Sequence, residues 1–383
     1  MIGNTSEMVE WEAGSYLPST SATARPITLP WVGMVLLPGV LVGLLLLVVT
    51  MMALAYGPEM RKGSGQLLFL SHRSGKTGLF TVDVGSGILS PLVLHENDID
   101  NPIWSPDGSQ IVYRVLLGDY WDIFTVDADG RNRRNLTRTA ADDESPSWSP
   151  DGRRIVFESW RDGDGDIYVM DADGANVRRL TDHPAFDGDP VWSPDGEWIA
   201  FVAFRTDTFG VYLIDPEGSD LRYVSANLPW ASGPVWSAAG DRVAFVAIPD
   251  RSSDLYVTDL ARGGAVQRLT AIPVNVRDPA WSSDGQRLAV TMDQSQVTIL
   301  IVELDNPLTL VAEEEAAEVM TIDGPISALH PAWSPDGKRL ALTTYGNGTQ
   351  NIAVIDVDGH NLRPLTDHHA ADWLPLWRPE GKP

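Results

Sequence analysis

The chain has 383 residues, 43% of them hydrophobic, no cysteine, and 52 acidic against 28 basic side chains, for a formal net charge of −24. Without cysteine there can be no disulfide, no thiolate nucleophile and no Cys-ligated zinc. The excess of carboxylates opposes binding to phosphate backbones, which are held by Lys and Arg. No nucleic-acid partner is therefore expected, whereas cations and basic partners are attracted.

Residues 1–30 are polar and rich in Ser, Thr, Pro and Gly, the composition of a disordered tail. From Pro26 to Pro58 no side chain is charged, and "WVGMVLLPGVLVGLLLLVVTMMALAYG" fills residues 31–57. A helix needs about 20 apolar residues to cross a bilayer core. Trp31 and Tyr56 stand at the ends of the run, where interfacial aromatics belong. Ala53-Leu54-Ala55 resembles a signal-peptidase site, but the long apolar run and a leader of about 25 residues favour an uncleaved anchor. The sequence thus predicts one transmembrane helix over 31–57 and a linker over 58–65. Arg61 and Lys62 after the span and Arg25 before it bias its orientation only slightly, and both orientations stay open. The domain that follows is expected on the extracytoplasmic side.

From residue 66 the sequence repeats. A Trp recurs at 104, 148, 192, 236, 281, 333 and 377, at spacings of 44, 44, 44, 45, 52 and 44. A Pro stands two positions before each, and Ser-Pro-Asp-Gly or a close variant follows most of them. After this turn comes a short apolar strand such as "RIVF" (154–157), a variable loop, a second strand such as "DIYVMD" (166–171), a "DADG" turn, and a last strand such as "NVRRLT" (176–181). Four short strands per unit, bounded by Gly, Pro and Asp, define a β-propeller blade. The first unit lacks its Trp strand, and "LPLWRPEG" (374–381) supplies one at the other end. A blade made from both ends of the chain closes the ring and removes exposed strand edges. The expected fold is all-β: a seven-bladed propeller over 66–383 with four-stranded antiparallel blades.

The residues W-S-P-D-G, "DIYVMDADG" and "RRLT" resemble the WD-like Pro-Asp repeats of TolB-type β-propellers. The resemblance covers about residues 66–381 and speaks for fold more than for function. TolB propellers are commonly six-bladed and follow an α/β domain. Here there are seven units and a membrane segment, so the resemblance does not carry over a Tol-system role. Similar propellers gate prolyl-oligopeptidase-like peptidases, but these need a hydrolase domain for which the chain leaves no room.

Ser193-Pro194-Asp195-Gly196 fits a type I turn, and a Trp needed by every blade packs between blades. The "DADG" segments read as Asx turns rather than calcium loops. These stereotyped turns share one face of the disc. The loops of the opposite face differ from blade to blade, which is where function on a repeat scaffold belongs. This variable face gathers non-repeating aromatics, of which Tyr120, Trp121, Trp160, Trp230 and Trp373 are the candidate ligand-binding residues. It is also acidic. Asp100, Glu144, Asp187, Asp189 and Asp278, with His330, are the candidate ligands for a hard cation, since such ions prefer oxygen donors. No cofactor is expected, with Ca2+ the candidate ion. "RDGDGD" (161–166) lacks the Gly and Glu of an EF-hand, and "SGKT" (74–77) lacks the first Gly and the helix of a P-loop.

These features imply a membrane-anchored, non-catalytic binding or scaffold module for a protein, peptide or glycan partner in the cell envelope. The alternative is a metal-dependent propeller hydrolase or lyase with its site at the channel mouth.

Overall fold

The apolar runs after each Ser-Pro-Asp-Gly turn fold as strands buried on both faces, because each sheet is covered by a neighbour on either side. Ile111, Val112 and Tyr113 have no exposed surface, nor do Ile155, Val156 and Phe157. Continuous rather than alternating hydrophobicity is the pattern such a position requires. The computed structural model describes residues 65–205, 207–293, 297–304, 327–346 and 348–380. The polar tail, the apolar span 31–57, nearly all of the linker and the acidic run at 312–318 lie outside these residues. Among the described residues, no helix is long and apolar enough to cross a membrane.

Seven antiparallel sheets form the propeller, six with four strands and one with three among the described residues. Blade 1 pairs Gln66–Ser71, Gly78–Asp83 and Leu89–Val93 with the C-terminal strand Asp372–Trp377, which takes the innermost place. Leu67 faces Trp377 and Leu68 faces Leu376 across this closure. Arg378 extends it, donating from its backbone N–H to Gln66 O and from Nε to Gly108 O in the next blade. The innermost strands of blades 2 to 7 are Ile99–Trp104, Asp143–Trp148, Asp187–Trp192, Ser232–Trp236, Asn275–Trp281 and Ser327–Trp333.

The repeated Trp joins neighbouring blades. In five of the seven blades its indole N–H reaches back to a carbonyl in the preceding innermost strand, whereas Trp104 and Trp192 only wedge their rings between the blades. Trp236 donates to Val191 O at 3.0 Å, Trp281 to Val235 O at 3.1 Å, Trp333 to Ala280 O at 3.0 Å and Trp377 to Ala332 O at 2.9 Å. Arginines cover the rings: Arg154 lies 4.8 Å from the Trp192 centroid and Arg287 4.7 Å from that of Trp333. The apolar clusters are accordingly inter-blade. One joins Val112 and Ile123 of blade 2 to Trp148, Ile155 and Phe157 of blade 3.

The stereotyped turns close as expected. Gly196 N–H donates to Ser193 O at 3.0 Å, and Ser193 Oγ donates to Asp195 at 2.6 Å. In the "DADG" turn, Gly174 N–H donates to Asp171 O and Asn176 Nδ2 to the Asp171 carboxylate. That carboxylate therefore serves the turn itself.

Two boundaries differ from expectation. The last strand of blade 3 is only Arg178–Arg179, because the chain then bends over the preceding strand and Thr181 Oγ1 accepts the Ile167 N–H at 2.9 Å. In blade 2, the variable loop after the second strand is only a two-residue turn. The strands run to Leu117 and resume at Tyr120, with Gly118 at φ 69° supplying the left-handed position. Tyr120 and Trp121 are thus strand residues.

Replacing Trp192 with Ala removes a ring that is 5% exposed. Urea unfolding should report a loss of about 3–5 kcal/mol, and an unchanged midpoint would show that the wedge is dispensable.

Candidate functional site: the mouth of the variable face

The entry to each innermost strand is bulged at the residue before the repeated Pro. Asn101, Ser145, Asp189, Gly233, Asp278, His330 and Leu374 all have φ between 47° and 61°. The pairing register slips beside them, as between Asp100 and Ile103, Glu144 and Ser147, and Gly188 and Val191. Left-handed φ is uncommon outside glycine, and here it recurs in all seven blades. It is therefore architectural, a bulge that redirects one side chain per blade. Equivalent residues of neighbouring blades then meet: Ser145 Oγ donates to Asp189 Oδ1 at 2.9 Å.

Around blades 2 to 4 this geometry gathers carboxyl groups. Arg114 bridges two blades, 2.7 Å from Asp100 and 2.6 Å from Glu144. Its guanidinium also lies 4.4 Å from the Trp121 ring centroid. Behind them is Glu158, which is 3% exposed. Its carboxyl accepts hydrogen bonds from Trp160 Nε1 at 2.9 Å and from the Asp189 backbone N–H at 3.2 Å. Burial pushes the Glu158 carboxyl up to about 7, with Asp189 and Glu144 adding repulsion. Glu144 is raised as well, by burial and by Asp142, Asp189 and Asp100, against the pull of Arg114.

The other predicted ion ligands stand outside this group, with Asp278 and His330 near each other on neighbouring blades. Asp187 is fully buried with Arg205 Nη2 2.6 Å away. Arg161–Asp143 and Arg73–Asp372 repeat this pair in blades 3 and 1. Asp187 is therefore a structural partner of an arginine, and the expectation that it faces the mouth is corrected. Asp278 accepts from Arg277 at 2.9 Å and Thr291 at 3.0 Å. His330 Nδ1 lies 3.4 Å from Thr343 Oγ1, and burial holds the imidazole below its usual range. In "RDGDGD", Asp162 accepts from the Tyr168 hydroxyl and Asp166 from Arg179. Among the described residues, no three His, Asp or Glu side chains are grouped to hold a metal ion.

Beside the acidic mouth runs an aromatic ridge across blades 3 to 5. Trp160 contacts Phe186 with ring centroids 5.9 Å apart, Phe186 contacts Phe209 at 5.9 Å, and Phe209 contacts Phe204 at 5.1 Å and Trp230 at 5.8 Å. Trp160 is 41% and Trp230 51% exposed. Glycines make room for the buried side of the ridge. A side chain at Gly188 would collide with the Phe186 ring and Glu158 Oε2, and one at Gly165 would press on Phe186 and Trp160. The ridge borders a cleft of about 340 Å³ lined by Phe186, Phe209, Trp230, Val202, Ile248, Ser232 and Asp189. Of the other predicted binding residues, Tyr120 is exposed at its turn, Trp121 is half-buried under Arg114, and Trp373 is half-buried with its ring 4.7 Å from His72.

A larger hollow of about 630 Å³ lies at the opposite face among the Ser-Pro-Asp-Gly turns. Its carboxylates, Asp107 and Asp151, already accept from Ser105 and Ser149 at 2.6 Å and from backbone N–H groups of their own turns. That hollow is the underside of the repeated architecture.

Two residues of the mouth escaped the sequence reading. Glu158 and Arg114 stand where the aligned units carry Val202, Val246, Thr291 and Thr343. A charged residue at an otherwise apolar or hydroxyl position was the available signal.

A closed ring of repeats with one divergent face defines the class: a β-propeller protein. Residues 47–228 match the family described as the TolB beta propeller domain. It is 30% identical over 115 residues to the uncharacterized peptidase YuxL of Bacillus subtilis, covering 30% of this chain and 17% of that protein. It is 34% identical over 77 residues to the Tol-Pal system protein TolB of Anaeromyxobacter dehalogenans, covering 20% of this chain and 18% of that protein. The matches thus span less than a fifth of these relatives. The fold also resembles an oligogalacturonate lyase from Vibrio parahaemolyticus, with a TM-score of 0.60, 14% identity, and coverage of 76% of this chain and 86% of that one.

The Glu158 carboxyl sets a pH dependence. Its folded value lies above that of an unfolded glutamate, so stability is fully present below about pH 4.5 and is lost as pH rises through 7. Glu158→Gln should remove this slope. Relative to the parent, the variant should gain up to about 3 kcal/mol between pH 4 and pH 8, read by urea unfolding at both. Parallel stability profiles would contradict the burial argument.

Proposed function

We propose that the chain is a non-catalytic recognition module, a propeller tethered to the membrane by its apolar 31–57 segment. It presents the variable face to a protein, peptide or glycan partner on the extracytoplasmic side of the cell envelope. The ridge from Trp160 to Trp230 carries this reading. It is a contiguous patch of large, partly exposed rings over three blades, and the repeat architecture does not require it. Exposed aromatic patches rimmed by polar groups are typical of interaction sites. The Tol-Pal system protein TolB among the relatives supports a protein partner.

One observation favours a second reading, catalysis at the channel mouth. A buried Glu158 raised to about 7 beside more exposed carboxylates is the pattern of an acid–base pair. The lyase of similar fold and the peptidase relative keep this alternative open, while the scattered donor set weakens its metal-dependent form.

Two measurements separate the readings. Immobilised full-length protein should capture an envelope component. Replacing Trp160 and Trp230 together with Ala should reduce capture by about tenfold or more, and undiminished capture would move the site off the ridge. EDTA should leave the melting temperature unchanged, whereas a drop reversed by Ca2+ or Mn2+ would favour the metal-dependent enzyme.

A further inference from the structure

We infer that the cleft beside Trp230 receives a basic side chain, a lysine or arginine carried on an extended peptide. This inference rests on the recognition-module reading and names the chemistry of its ligand.

The cleft has aromatic walls and an acidic edge. Phe186, Phe209 and Trp230 contribute three rings, linked by centroid distances of 5.9 and 5.8 Å, and Asp189 contributes a carboxylate. Aromatic faces carry negative potential, so a cation held among several rings is attracted by each of them. A neutral sugar or an apolar side chain would also stack there, but neither needs the carboxylate. An acidic side chain would be repelled by it.

The field around the cleft has the same sign. Asp100, Asp142, Glu144, Glu158 and Asp189 interact electrostatically at the mouth. Among the described residues, Arg114 is the cation that ion-pairs within this group. Asp189 lies on the cleft side and is itself exposed. Its side-chain partner is the neutral hydroxyl of Ser145, so its charge is not cancelled locally. The whole chain, at −24, adds to the attraction for a basic partner.

The cleft is also fixed in shape. Glu158 ties Trp160 Nε1 to the Asp189 backbone, which couples the far end of the ridge to the acidic edge. Phe186 sits where glycines leave space for its ring. A binding pocket held this way loses little freedom on occupation.

An extended peptide suits the ridge beyond the cleft. Its rings follow one another at 5.9, 5.9 and 5.8 Å. Alternate side chains on one face of an extended strand are about 6.6 Å apart. Apolar residues at alternate positions from the lysine or arginine could therefore rest on Phe186 and Trp160.

The test is calorimetric titration of the full-length protein with acetylated, amidated pentapeptides. One carries a single lysine flanked by apolar residues, and its twin carries norleucine in place of that lysine. Tetramethylammonium is titrated alone. The lysine peptide should bind at least tenfold more tightly than its twin, and its affinity should fall as salt rises. Asp189→Asn should erase most of that preference, and Trp230→Ala should abolish binding, with both variants retaining the parent circular dichroism spectrum. Equal affinity for the two peptides, or lysine binding untouched by either substitution, overturns the inference. So does tetramethylammonium binding as tightly as the peptide, which would make the site one for free organic cations. If an envelope component is captured through Trp160 and Trp230 but Asp189→Asn has no effect on it, the cation assignment fails while the recognition module stands. If capture ignores both tryptophans, the module reading itself fails.

Discussion

The tryptophan ring wedged between each pair of neighbouring blades is the constraint on which the rest of this protein depends. Each ring lies between two sheets, and in five of the seven blades the indole N–H also donates to the neighbour's innermost strand. Trp236, Trp281, Trp333 and Trp377 all do so, with donor–acceptor distances between 2.9 and 3.1 Å. Arginines at the start of the second strand of the preceding blade cover several of these rings, as Arg154 and Arg287 do. One sentence of sequence therefore sets both the spacing of the blades and the angle between them. That rigidity leaves the opposite loops free to vary.

The acidic mouth follows from a second repeated device, the bulge before each proline. Asp187 and Asp189 show what the bulge does. Two residues apart on a regular strand, their side chains would share a face. Instead, Asp187 is fully buried against Arg205, while Asp189, at φ 51°, is exposed beside the cleft. The same sequence neighbourhood supplies a structural ion pair and a candidate binding group, and backbone geometry alone separates them.

The ring was legible in the sequence because a blade is a local unit. Trp, Pro and Ser-Pro-Asp-Gly recur at a fixed period, and each fixes a turn or a wedge through contacts within about fifty residues. The closure between Leu68 and Leu376 was legible too, since a unit missing one strand must borrow it. The site was harder to read. Loops of the variable face were recognisable by their failure to repeat, and Trp160 and Trp230 do lie on the ridge. Trp121 and Trp373 resemble them in sequence, yet Arg114 and His72 cover part of their rings. Whether an aromatic packs or projects depends on a partner from another strand, which spacing along the chain does not reveal. Glu158 was hidden for a related reason: it sits inside an apolar strand and becomes part of the mouth only when Glu144 is paired opposite it.

The strand that completes blade 1 lies some three hundred residues downstream of the strands it joins. A chain that folds from its N-terminal end can therefore stack blades 2 to 7 one upon another as each becomes available. The outer strands of blade 1 must wait with an unpaired inner edge until Asp372–Trp377 arrives. Through that interval, Gln66–Ser71 is a sticky β-edge exposed to other nascent chains, and a chaperone would have most to protect there.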